Sequence, residues 1–184
     1  ILFMICDELN AELEFNLDGY QDLLVEAQQN ARAGIELMQK ELDLVGHRVP
    51  STVNPIQTAA SNSIEFRYID PNAIAAEQNL KITYYVEEID GVYVLLRQKC
   101  VQDANWTGCI DITPSRVVEY LNGANALNIN YYDAGGLATA TLANIRFAKV
   151  SLTTVTKTVL PTTRTTRTVR TSTNTHSPDA PARR

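Results

Sequence analysis

Histidine is almost missing from this chain. His47 and His176 are the only two in 184 residues, and no cysteine–histidine group has the spacing of a zinc site. There is no G-x-S-x-G elbow, no P-loop and no dinucleotide-binding glycine fingerprint. Cys6 and His47 make a nucleophile and base in name only, because they stand at opposite ends of one helical stretch. The pair Glu87-Glu88 flanks a hairpin turn and reads as a solvated tip. Asp70, Asp90 and Asp133 follow no EF-hand pattern. Without a constellation for catalysis, the sequence reads as an interaction or structural protein, not an enzyme, and no cofactor or metal is expected.

Long apolar runs are also lacking. The opening "ILFMIC" falls well short of the roughly 20 residues a bilayer-spanning helix needs. It has neither the basic leader nor the cleavage site of a signal peptide. It reads either as ordinary core or as the end of a longer hydrophobic segment.

Positive charge is scarce over most of the chain. The net charge of −5 argues against nucleic acid as a partner, because phosphate binding needs a basic surface. The charge is also divided unevenly. Between Asp7 and Asp43 the only bases are Arg32 and Lys40. From Lys157 onward, Lys157, Arg164, Arg167, Arg170, Arg183 and Arg184 face one acid, Asp179. An acidic front and a basic tail suit pairing within the chain or between neighbours, and equally suit solvated charge at both ends.

Of the three cysteines, Cys100 and Cys109 flank a short polar loop, "CVQDANWTGC". A disulfide there would contribute about 2–3 kcal/mol and mark an oxidising compartment; the other reading is two buried thiols in a reduced protein. The loop holds the sole tryptophan, Trp106, as a candidate surface contact, and "NWT" at Asn105 is a short match to the N-glycosylation pattern.

The strongest pattern comes first in the chain. Leu9, Leu13, Leu17, Tyr20, Leu24, Ala27, Ala31, Ile35, Met38, Leu42 and Val45 recur every three or four residues, the stripe of an amphipathic helix. Glu36 and Lys40 stand four apart in the favourable order. Gly46 ends the helix and Pro50 follows. Gly19 is a candidate kink. Gly34 costs about 1 kcal/mol in a helix interior unless close packing uses its missing side chain. Such a helix is about 65 Å long, whereas the rest of the chain folds to about 30–35 Å across. A sheet of that size cannot cover the whole stripe, so the uncovered half is expected to meet other helices.

From residue 50 the periodicity changes. "STVNPIQTAASNS" reads as a polar connector. "SIEFRYID" alternates, with Ile64, Phe66 and Tyr68 on one face. "NLKITYYVEEIDGVYVLLRQK" is a hairpin with Asp90-Gly91 as a type I′ turn. "CIDIT", "RVVEYL" and "ALNINYYD" supply further strands, and "ATLANIRFAKVSLTTVT" one more, or two broken by a bulge. Tyr84, Tyr85, Tyr93, Tyr131 and Tyr132 read as core or sheet surface, with an adhesive patch as the other reading. The Thr/Arg-rich end is low in complexity and disordered on its own, unless docked as an arm.

In this order the pieces resemble PilW-type minor pilins of type IV pili and the J-type minor pseudopilins of type II secretion. "AQQNARAGIELMQKELDLVGHR" resembles the end of that family's long helix, "SIEFRYID" its first sheet strand and "NLKITYYVEEIDGVYVLLRQK" its central hairpin. "RVVEYLNGANALNINYYDAGG" and "LANIRFAKVSLTTVT" resemble its closing segments, so the similarity covers about residues 10–156. The resemblance implies an α+β, type IV pilin-like fold: a long N-terminal helix packed on an antiparallel β-sheet, with an extended C-terminal tail.

The expected organisation is a helix over 1–46, with an assembly half of about 1–25 and a sheet-packing half of about 26–46, then a sheet domain over 47–156 and a tail over 157–184. Leu9, Leu13, Leu17 and Tyr20 would contact neighbouring subunits. Ala27, Ala31, Ile35, Met38 and Leu42 would hold the sheet. Arg164, Arg167 and Arg170 would serve as a tail clamp. The implied function is a minor pilin that initiates or caps a pilus; a type II secretion pseudopilin, a main filament subunit and a pilus-tip adhesin are the alternatives. The implied partners are other pilin or pseudopilin subunits. The inner membrane is a further partner before assembly, reached through an apolar N-terminal segment that "ILFMIC" would end. The implied location is the inner membrane with a periplasmic domain, then the extracellular pilus or periplasmic pseudopilus.

Overall fold

The computed structural model describes residues 2–155 and 169–176, with side chains for residues 21–23 and 25–155. Among the described residues, helix α1 (Leu2–Leu42) is followed by eight strands. They are β1 (Ile56–Ala60), β2 (Ser63–Ile69), β3 (Asn79–Ile89), β4 (Val92–Gln102), β5 (Cys109–Leu121), β6 (Leu127–Tyr132), β7 (Phe147–Thr154) and β8 (Val169–His176). All pairings are antiparallel, in the order β1-β2-β3-β4-β5-β7-β6, with β8 on β7.

This corrects the expected α+β, pilin-like architecture of a long helix laid on a sheet. The structure is mainly antiparallel sheet, curved into a nearly closed barrel; among the described residues the helix joins its core through Ala31, Ile35, Met38 and Leu42. Closure comes from β6 returning to the β1–β2 turn. The Ile129 amide donates to the Ser61 carbonyl at 2.7 Å. The Tyr131 hydroxyl donates to the carbonyls of Ala60 and Ser63 at 3.0 and 3.3 Å. Closing a sheet on itself removes unpaired edges and encloses one core.

Alternation decides which faces turn inward. Ile64, Phe66 and Tyr68 on β2 and Leu80, Ile82 and Tyr84 on β3 are buried, while the residues between them are only half-buried. On β4 the alternation fails where the ladder to β5 shifts register between Tyr93 and Leu96, and Val94, Leu95 and Leu96 are buried in succession. The hairpin turn is as the sequence predicts. Asp90 and Gly91 have φ of 54° and 78°, the left-handed pair that a type I′ turn requires, and Glu87 and Glu88 beside it are exposed.

Several elements differ from expectation. The polar connector contains β1, anchored by the buried Ile56. "CIDIT" and "RVVEYL" are one strand, β5, that passes through Pro114. Before β7 the chain makes a 3-10 turn at Leu142–Asn144 instead of a second strand. The helix is continuous through Gly19 and ends at Leu42, and tighter turns then carry the chain to Gly46, whose φ is 76°. Glu36 pairs with Arg32 at 2.9 Å, not with Lys40. Among the described residues no helix is long and apolar enough to cross a membrane.

Candidate functional site

The helix is seated in the barrel core over its last three turns. Ala31, Ile35, Met38 and Leu42 are at most 4% exposed and join the core with Val45. One turn earlier the contact loosens. Ala27 is half-buried, its carbonyl accepting a 3.5 Å hydrogen bond from Thr154 Oγ1. Gln21, Asp22, Val25, Glu26, Gln28, Gln29 and Asn30 are exposed. Four of the five sequence-predicted packing residues are therefore in the core, and Ala27 sits at its rim. The side chains of Leu9, Leu13, Leu17 and Tyr20 lie outside the described residues.

Gly34 accounts for the close seat of the helix. A Cβ there would stand 2.3 Å from Cγ2 of Val118, far inside contact distance, so the helix approaches β5 only because residue 34 has no side chain.

Sequence reasoning missed the polar group beneath this seat. Glu41 is 7% exposed on the buried face of α1, one turn from Met38 and beside Leu42. Arg97 on β4 forks onto its carboxylate: Nε donates to Oε1 and Oε2 at 3.1 and 2.9 Å, and Nη2 donates to Oε1. The hydroxyls of Tyr68 and Tyr84 donate to the same carboxylate, Tyr68 at 3.3 Å. The sheet register assembles the group, because Tyr84 stands directly opposite Arg97 across β3 and β4.

Burial, reinforced by the Glu41 charge, pushes both phenols well above the usual tyrosine range. The hydrogen bonds that Arg97 donates to Glu41 hold its guanidinium above the usual arginine value despite its burial. Both carboxylate oxygens are engaged, so the cluster functions as a clamp between helix and barrel. The signals for it were a glutamate inside the apolar stripe and an arginine inside "VYVLLRQK".

The disulfide loop forms a second ordered feature. Cys100 and Cys109 are bonded, with a Cα–Cα distance of 5.6 Å. Inside the loop the Asp103 carboxylate accepts from the amides of Thr107 and Asn105 at 2.9 and 3.1 Å and from the Thr107 hydroxyl at 2.8 Å. The Thr107 bonds, with those of Gly108 and Asn105, hold the Asp103 carboxyl below the usual carboxylate range. Trp106 was singled out as a surface contact, but it is only 5% exposed, with φ of 62°. Its carbonyl accepts from Arg67 Nη2 at 3.2 Å and Gln102 Nε2 at 3.3 Å. The loop is pinned onto the barrel with its indole turned in, which deprives the adhesin reading of its contact residue. Tyr84 and Tyr131 likewise belong to the core.

Of the tail arginines, Arg164 and Arg167 lie outside the described residues. Arg170 falls on β8, at the register position opposite Thr153. Strand β8 runs beside β7 and close to α1, which places part of the basic tail next to the acidic helix within one chain. Among the described residues no group of three histidine, cysteine or acidic side chains is placed to hold a metal. Comparison with family models, curated proteins and solved structures finds no match to the chain.

Proposed function

We propose that the chain is a structural subunit of a filament, a minor pilin of a type IV pilus that assembles through the N-terminal part of its helix. The observation that carries this reading is the way α1 divides. Its C-terminal part is seated in the barrel and clamped through Glu41, while residues 21–30 run along the barrel rim, with Leu23 and Ala27 half-buried against it and Val25 on the outer side 48% exposed. An apolar series of Leu9, Leu13, Leu17 and Tyr20 lies further along the same helix. Burying each such side chain against a neighbour is worth about 1.5–3 kcal/mol, so a few contacts per subunit suffice for assembly. The Cys100–Cys109 disulfide fits a domain that folds outside the reducing cytosol. On this reading the partners are other pilin subunits, and the protein is held at the inner membrane before entering the fibre.

The test is to follow the protein into sheared surface filaments. Leu13→Asp should leave a folded domain that does not enter the filament fraction, whereas Ile35→Asp should unfold the domain. Normal incorporation of the Leu13 variant would defeat the reading.

A further inference from the structure

We propose that β8 is exchanged between copies of this chain, so that the edge of β7 covered by β8 is a docking edge for the β8 of a second copy. Strand β7 lies between two sets of partners. One edge is taken by β6 and the end of β5, where the Val155 amide donates to the Tyr120 carbonyl at 2.7 Å. The other edge is filled by β8 through eight successive pairs, from Phe147↔His176 to Thr154↔Val169. Among the described residues β8 pairs with no other strand.

The sequence of β8, "VRTSTNTH", offers a single aliphatic residue, Val169. Beside its approach to α1, backbone pairing with β7 holds it, and that pairing is the same whichever copy supplies the strand. The connection makes a choice of copy feasible. Antiparallel neighbours are ordinarily joined by 2–5 residues, yet residues 155–168, fourteen in all, separate β7 from β8. Fully extended, that length reaches about 45–50 Å, more than the breadth of the barrel. The connection carries Lys157, Arg164 and Arg167 and no acid, while residues 21–30 of the helix carry Asp22 and Glu26, both exposed, and no base. A linker crossing to a neighbour would thus meet a helix of opposite charge at the barrel rim. The inference does not depend on the pilus reading, since it requires only copies of the chain.

Ser151 and Ser172 are partners across the β7–β8 ladder, which provides the test. Two full-length chains, both carrying Cys6→Ser, one with Ser151→Cys and the other with Ser172→Cys, would be refolded together and mildly oxidised. Non-reducing electrophoresis and peptide mass spectrometry should then show a covalent dimer joined between positions 151 and 172 of different chains. The dimer should be lost when residues 157–167 are replaced by a two-residue Asn-Gly turn that holds β8 on its own β7. Three results would overturn the proposal: a link that forms only inside one chain carrying both substitutions; no link in any combination; or equal linking when Lys149→Cys replaces Ser151→Cys, since residue 149 is out of register with 172.

Discussion

The guanidinium of Arg97 grips the carboxylate of Glu41 across 56 residues of sequence, joining the middle of β4 to the last turn of the helix. The two side chains are 18% and 9% exposed, so neither charge has enough water around it to stand alone. Removing one partner of such a pair costs about 3–5 kcal/mol, whereas replacing both with apolar groups of similar size is often close to neutral. Arg97→Leu and Glu41→Leu should each lower the urea midpoint sharply, and the double variant should recover most of the loss. Additive losses would mean that the two residues act separately.

Alkaline pH should unfold the protein early. Burial raises Tyr68, Tyr84 and Tyr131 above the ordinary tyrosine value of 10.0, with the Glu41 charge adding to the first two. Below pH 10 both folded and unfolded chains keep these protons, and the stability is undiminished. Above it the unfolded chain releases protons that the folded chain retains, so stability falls by about 1.4 kcal/mol per pH unit for each tyrosine. Denaturant titrations between pH 8 and 11 should show this fall. Tyr84→Phe, with its weaker alkaline dependence, should reduce the slope.

Gly34→Ala should destabilise the protein although alanine is the better helix former by about 1 kcal/mol. The added methyl would collide with Val118, and overpacking of this kind costs about 1–3 kcal/mol. A lower melting temperature would support the close helix–β5 approach; a higher one would mean that the helix sits further out.

Cutting the Cys100–Cys109 link with a pair of serines should cost about 2–3 kcal/mol and leave the barrel folded, as near-ultraviolet circular dichroism would report. Asp103→Ala should loosen the same loop, because three donors from Asn105 and Thr107 converge on that carboxylate.

The places of β2, β3, β4, β6 and β7 along the chain were legible in the sequence, while β1 and β8 were not and β5 read as two strands. Alternation in "SIEFRYID" and the Asp90-Gly91 turn mark β2, β3 and β4 because each depends on short-range geometry alone. The curvature was not legible, since closure depends on Ile129 and Tyr131 meeting the β1–β2 turn about 70 residues earlier, and no local pattern encodes that encounter. Strand β1 was hidden in a polar stretch because only Ile56 in it is buried. The Glu41 clamp was overlooked because charged residues inside apolar patterns read as solvent-facing until their partners are known. Gly34 was the reverse case: a residue unfavourable to a helix unless close packing uses its missing side chain, and Val118 supplies that packing.

Hydrogen exchange along α1 tests most directly the division of this helix between barrel and assembly. In the isolated protein, amides of residues 31–42 should exchange only on global unfolding, and those of residues 21–30 should exchange far faster. Once the protein is in a filament, the second group should gain protection. Equal, strong protection of both stretches in the isolated chain would contradict the account, because the helix would then not divide at the barrel rim.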